Sequence, residues 1–77
     1  MSWQKVTELP TPFDRYKVSV EGLPRPDGTW AGRVVFAAGA ERRITGQETT
    51  QPNRDAVEYW ATGLEKVYLE GALKRAK

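Results

Sequence analysis

The spacing of apolar positions changes once along the chain, near residue 49. From Phe13 to Glu21, Tyr16, Val18 and Val20 alternate with Lys17, Ser19 and Glu21, the period of two that marks a half-buried strand. From Thr29 to Ala37, the same period separates Trp30, Gly32, Val34 and Phe36 from Ala31, Arg33, Val35 and Ala37. The first set is the predicted core face. Between these strands, Pro26-Asp27-Gly28 supplies a preset φ, a side chain that bonds its local backbone, and a residue that accepts positive φ, so a hairpin turn is expected there. A third strand is expected over Glu41 to Gly46 after the short Ala38-Gly39-Ala40 turn. Pairing Phe36 with Ala40, or Ala37 with Glu41, would place Ile44 and Arg42 on the core face and Arg43 on the outer one.

Beyond Thr49 the period becomes helical. At about 100° per residue, Val57, Trp60, Ala61, Leu64, Val67, Tyr68 and Ala72 share a broad face. Thr49, Thr50, Pro52 and Asn53 offer starting signals, with several candidate caps. Asp55 and Glu58 near the start and Lys74, Arg75 and Lys77 at the end match the helix dipole. The helix is expected over 50–76, either continuous or broken near Gly63. Leu69, Ala72, Leu73 and Ala76 follow i, i+3, i+4, i+7 as a second stripe, rotated from the face centred on Leu64. One sheet cannot bury both stripes of a straight rod, so this second stripe is the predicted interface with another protein, first of all with a second copy.

The expected fold is therefore α+β: one two-layer domain over 1–77, with an antiparallel meander at 13–46 covered on one face by a C-terminal helix. Residues 1–12 form an N-terminal extension or a weak strand, which would bring the sheet from three strands to four. Pro10-Thr11-Pro12 separates that segment from the meander as an extended connector with few donors. Trp3 is either a lid on the sheet edge or an exposed anchor.

Composition then narrows the chemistry. The 77 residues contain neither Cys nor His, which removes disulfides, thiolate nucleophiles, the usual triads and the favoured transition-metal ligands. Glu48 and Asp55 are the available carboxylates near the helix start, but no spacing distinguishes them from capping or solvated residues. Gly39 and Gly46 stand apart from any phosphate-loop pattern. No enzyme activity, metal or cofactor is expected. No apolar run reaches the length of a membrane span and the N-terminal residues carry no signal-peptide hydrophobic region, so a cytoplasmic location without membrane contact is expected. The net charge is +2, a small excess that permits an acidic partner.

The order of Tyr16-Lys17-Val18-Ser19-Val20, Asp27-Gly28-Thr29-Trp30, Gly46-Gln47-Glu48-Thr49 and Asp55-Ala56-Val57 resembles the layout of HicB-type antitoxin domains over about residues 16–65. This chain has Arg42-Arg43-Ile44-Thr45 where that family commonly carries a proline and a small residue. The resemblance implies a small domain that binds a partner protein. The expected function is a non-enzymatic binding module acting through protein contacts at Leu69, Ala72, Leu73 and Ala76. The alternative is nucleic-acid binding by Lys17, Arg33 and Arg43 on the outer sheet face, where such basic charges more often serve solvation. Trp30 and Trp60 fall on buried faces and are expected in the core.

Overall fold

The computed structural model describes residues 2–77; Met1, which opens the segment read as 1–12, lies outside them. Five strands and two helices follow in the order β1 (Gln4–Glu8), β2 (Lys17–Pro24), β3 (Trp30–Ala38), β4 (Glu41–Ile44), β5 (Thr49–Gln51), α1 (Arg54–Thr62) and α2 (Lys66–Arg75). The strands form one antiparallel sheet in the order β1-β2-β3-β4, and β5 pairs with the first residues of β3 on the same side as β4. The expected α+β class is present, with the N-terminal segment contributing a true strand.

The hairpin β2-β3 keeps the faces that the alternation predicts, with Val18 opposite Phe36 and Val20 opposite Val34. These four side chains and Val57 are the largest fully buried ones. Farther along the same face Gly22 opposes Gly32. A Cβ on Gly32 would come within 2.7 Å of Thr49 Cγ2, and one on Gly22 within 2.9 Å of Val6 Cγ2. The missing side chains let β5, β1 and the Trp30 ring close over this end of the sheet.

The third strand lies in the opposite parity to the one expected. Its turn is the two-residue Gly39-Ala40, which pairs Ala38 with Glu41 and Phe36 with Arg43. Gly39 has φ 59°, the positive value that a primed two-residue hairpin places at its first central position. A one-residue change in loop length reverses every side chain of the strand. Ile44 and Arg42 therefore lie on the outer face opposite Val35 and Ala37, and Arg43 lies on the helix side.

The helical stretch is broken. Asn53 caps α1, its side chain accepting the Ala56 N–H at 2.8 Å. At the far end, the N–H groups of Gly63 and Leu64 bond to the carbonyls of Trp60 and Ala61 at 3.1 and 3.3 Å, a tightened last turn. Glu65 is extended and α2 restarts at Lys66. The ten residues of α2 span about 15 Å at 1.5 Å per residue, short enough to lie over the sheet. The break re-aims the second half of the stretch, so the two stripes that conflicted on one rod both face inward.

The core accordingly has two joined parts. Val6, Val20, Val57 and Ala61 fill one under α1, and Tyr16, Val18, Val34, Phe36, Leu69, Ala72 and Ala76 fill the other under α2. Leu64, at the break, packs against both. Val67, expected on the buried face, is 79% exposed because the restart turns it outward.

Candidate protein-binding groove

Three of the four residues expected to form an interface are inside the protein. Leu69, Ala72 and Ala76 are buried in the core against Tyr16, Val18 and Phe36, and Leu73 packs half-buried at its margin. Apart from Leu73 at its margin, the stripe is covered by the protein's own sheet. The physical reason is the break at Gly63-Leu64-Glu65.

Of the basic trio, Lys17 and Arg33 share the outer face and Arg43 does not. Arg33 does lie on the outer face, but its guanidinium bonds to Glu21 at 2.7–2.8 Å and sits 4.2 Å above the Trp3 ring. Glu21 also takes Arg42 at 3.4 Å. Trp3 is thus a half-buried lid stacked on Arg33. Arg43 turns to the other face, where its Nη2 donates to the Ala76 carbonyl at 3.0 Å. Lys17 is left exposed at the end of β2. No patch brings the three together.

Glu48, a candidate acid or base, is occupied structurally. It receives two bonds from Arg75, at 2.7 and 3.2 Å, and another from the Tyr68 hydroxyl. Arg75, followed by the Tyr68 hydroxyl, holds the Glu48 carboxyl below the usual carboxylate range against the opposing effect of burial. Burial, reinforced by Glu48, pushes the Tyr68 phenol up to about 12. At 6.1 Å, Trp60 stacks edge-on against Tyr68. These contacts clasp α2 to the segment entering β5. A second cluster repeats the pattern: Glu41 accepts from Tyr16 at 2.9 Å and Arg15 at 2.8 Å, and chiefly through Tyr16 its pKa is lowered. Asp55 is exposed in the first turn of α1.

A concave feature lies elsewhere on the surface. A groove of about 600 Å³ opens between the β1–β2 connection and the α1–α2 break, within the roughly 300–1,000 Å³ of sites that take compact ligands or side chains. One wall is Leu9, Pro10, Pro12 and Phe13; the other is Ala61, Leu64 and Leu69. Polar Thr11, Asp14, Thr62 and Lys66 complete the lining.

Both walls arise from local sequence devices. The Leu9 N–H bonds to the Val18 carbonyl at 2.9 Å, and Phe13 and Tyr16 exchange two backbone bonds of 2.9 Å. The connection is therefore pinned at each end, and two prolines stiffen it between. Asp14, in the tight turn, has φ 56°, a left-handed conformation that Asp tolerates better than most residues. Opposite, the helix break holds Leu64 in place of another turn of helix. The segment Leu9-Pro10-Thr11-Pro12-Phe13 carried a signal that periodicity misses: apolar side chains and a rigid backbone that belong to no strand or helix face.

Chemically the groove is a place for apolar contact. Among the described residues no cluster of three metal-ligating side chains occurs, and no buried side-chain polar atom lacks a partner. No helix among them is long and apolar enough to cross a membrane. No protein-family model, curated protein or solved structure matches the chain.

Proposed function

We propose that the protein is a non-enzymatic binding module that receives an apolar segment of a partner protein in the groove between residues 9–14 and the α1–α2 break. The groove itself carries this reading. It leaves Leu9, Phe13 and Leu64 half-exposed and Pro10 and Pro12 exposed in one concavity, and its pinned wall needs little ordering on binding, which limits the entropic cost. The resemblance in layout to HicB-type antitoxin domains points to the same class of function. Nucleic-acid binding has the weaker support, because Arg33 is paired with Glu21 and Arg43 turns to the other face.

The test is selection of short linear peptides from a displayed random library against the immobilised protein. Binding is then compared with Thr62→Trp, which fills the mouth from the helix side, and Pro12→Arg, which charges the opposite wall. Both positions are exposed, so both variants should fold. Selected peptides should share apolar residues and bind each variant at least about tenfold more weakly, a loss of about 1.4 kcal/mol. Peptides that bind wild type and both variants equally would remove the groove as the site. A single-stranded oligonucleotide bound in their place, with affinity falling steeply as salt rises, would transfer the function to phosphate recognition.

A further inference from the structure

Strand β1 lies at the end of the sheet, and a bulge sets the chemistry of its free edge. The bond from the Leu9 N–H to Val18 turns the Leu9 backbone toward β2, so alternation turns Thr7 toward β2 and Glu8 away from it. The register slips between Lys5 and Thr7, setting Val6 and Thr7 together against Val20, as in a bulge. Lys5 then faces outward like Glu8. Its carbonyl accepts from Arg54, at 3.5 Å. The edge thus turns its backbone groups outward at Lys5 and Glu8, three positions apart, where a regular strand turns them outward at every second residue, and among the described residues only the exposed Arg54 side chain bonds to them.

A straight strand cannot meet both positions. A second β1 running antiparallel can, with Lys5 opposite Glu8 of the other copy and Val6 opposite its Thr7. The side chains make the same choice. Lys5 lies opposite Glu21 and Glu8 opposite Ser19 in the sheet, so both project from the face away from the helices. The same two-fold pairing sets an ammonium against a carboxylate twice. Within one chain these two groups already meet at 2.7 Å, with their side chains 59% and 43% exposed. Alongside, Arg54 and Glu58 stand four apart on α1, on the flank from which Arg54 reaches β1, and supply a second self-complementary pair of charges.

We propose that the chain forms a two-fold dimer by antiparallel pairing of β1 with β1 of a second copy, Lys5 against Glu8, joining two five-stranded sheets into one. The bulge that blocks ordinary edge-to-edge aggregation becomes the element that selects an identical partner. None of the pairing residues lines the groove, so this interface stands or falls separately from the groove.

Sedimentation equilibrium from about 10 μM to about 1 mM tests it, on wild type, Lys5→Glu, Glu8→Lys, their equimolar mixture and the double swap in one chain. Wild type should dimerise reversibly. Each single substitution sets like charges opposite one another at both contacts and should weaken the dimer at least about tenfold. Mixing the two single variants should restore dimers, because each supplies the charge that the other lacks, and the double swap should dimerise like wild type. Wild type that stays monomeric at about 1 mM would overturn the proposal. So would a dimer that the single substitutions leave intact, or single variants that associate no better mixed than alone.

Discussion

On the β4 side of the sheet, Ile44 and Lys77 exchange two backbone hydrogen bonds of 2.9 and 3.0 Å, and Arg43 reaches over to the Ala76 carbonyl. On the β1 side, Arg54 alone among the described residues bonds to the outward backbone, at 3.5 Å. One edge is closed by the chain that follows α2; the other is open, beside a groove with exposed apolar walls. The closed side is stitched by interactions between distant residues, including Glu48 with Tyr68 and Arg75. The open side is shaped by local devices, a bulge and a proline pair. The difference separates what holds the fold from what is free to meet a partner, and it assigns different consequences to substitutions on the two sides.

The largest effect is expected under α2. Ala72 is fully buried beside Tyr16, Val18 and Phe36, and Ala72→Asp would place a carboxylate there without a partner. A loss of about 4 kcal/mol or more is expected, comparable with the whole stability of a small domain, so the variant should lack a cooperative thermal transition. Thr62→Trp and Pro12→Arg on the groove walls should melt like wild type. An Ala72→Asp variant that melts with them would put α2 on the surface and reopen the Leu69–Ala76 stripe as an interface.

Next comes the clasp. Glu48→Gln removes the charge that Arg75 and Tyr68 share, and the loss should be about 1–3 kcal/mol near neutral pH. Because the fold lowers the Glu48 pKa, its contribution is complete above the ordinary carboxylate range and disappears as pH falls through the lowered value. Tyr68 behaves in the opposite sense: its raised pKa adds stability that is complete below the unfolded value of 10.0 and is lost as pH rises toward about 12. Denaturant melts of wild type and Glu48→Gln should therefore differ by a constant amount from about pH 6 to 9 and begin to converge only as pH falls below the ordinary carboxylate range of about 4. A difference that persists at low pH would mean that the amide at this position disturbs packing rather than charge.

The sheet's core hairpin was legible in the sequence because alternation alone shows which side chains of β2 and β3 face the core. Placement of β4 depended on whether Ala38-Gly39-Ala40 turns with two residues or three, and periodicity is silent on that choice. The positive φ of Gly39 decides it, and with it the face of Arg42, Arg43 and Ile44. The two apolar stripes of residues 57–76 were visible, and so was the weak point at Gly63. Which of them yields depends on tertiary packing: Leu64 packs half-buried at the junction between both parts of the core, and placing it there requires the break. Strand β5 escaped because Thr49-Thr50-Gln51 has no alternation and pairs through backbone beside the gap that Gly32 leaves. The groove escaped for a related reason, since it lies between two segments that belong to no periodic element.

The smallest expected effect compares the two edges directly, by placing proline at one outward position on each. At Lys77 the backbone N–H donates to Ile44 at 3.0 Å, and Ala76 before it sits at φ −71° and ψ 147°, a conformation that tolerates a following proline. Lys77→Pro thus removes one hydrogen bond with little strain. The expected cost is about 0.5–1.5 kcal/mol, read as faster amide exchange at Ile44 together with a small drop in melting temperature. At Glu8 the N–H faces away from β2, so Glu8→Pro should leave the β1–β2 ladder and the dilute-solution melting temperature unchanged, since proline is accommodated on edge strands when its missing donor would have pointed outward. The same substitution should prevent dimer formation at high concentration, where that N–H is needed by the Lys5 carbonyl of the second copy. If Glu8→Pro lowers the melting temperature as much as Lys77→Pro, the Glu8 backbone is bonded within the chain and β1 has no open edge at that position.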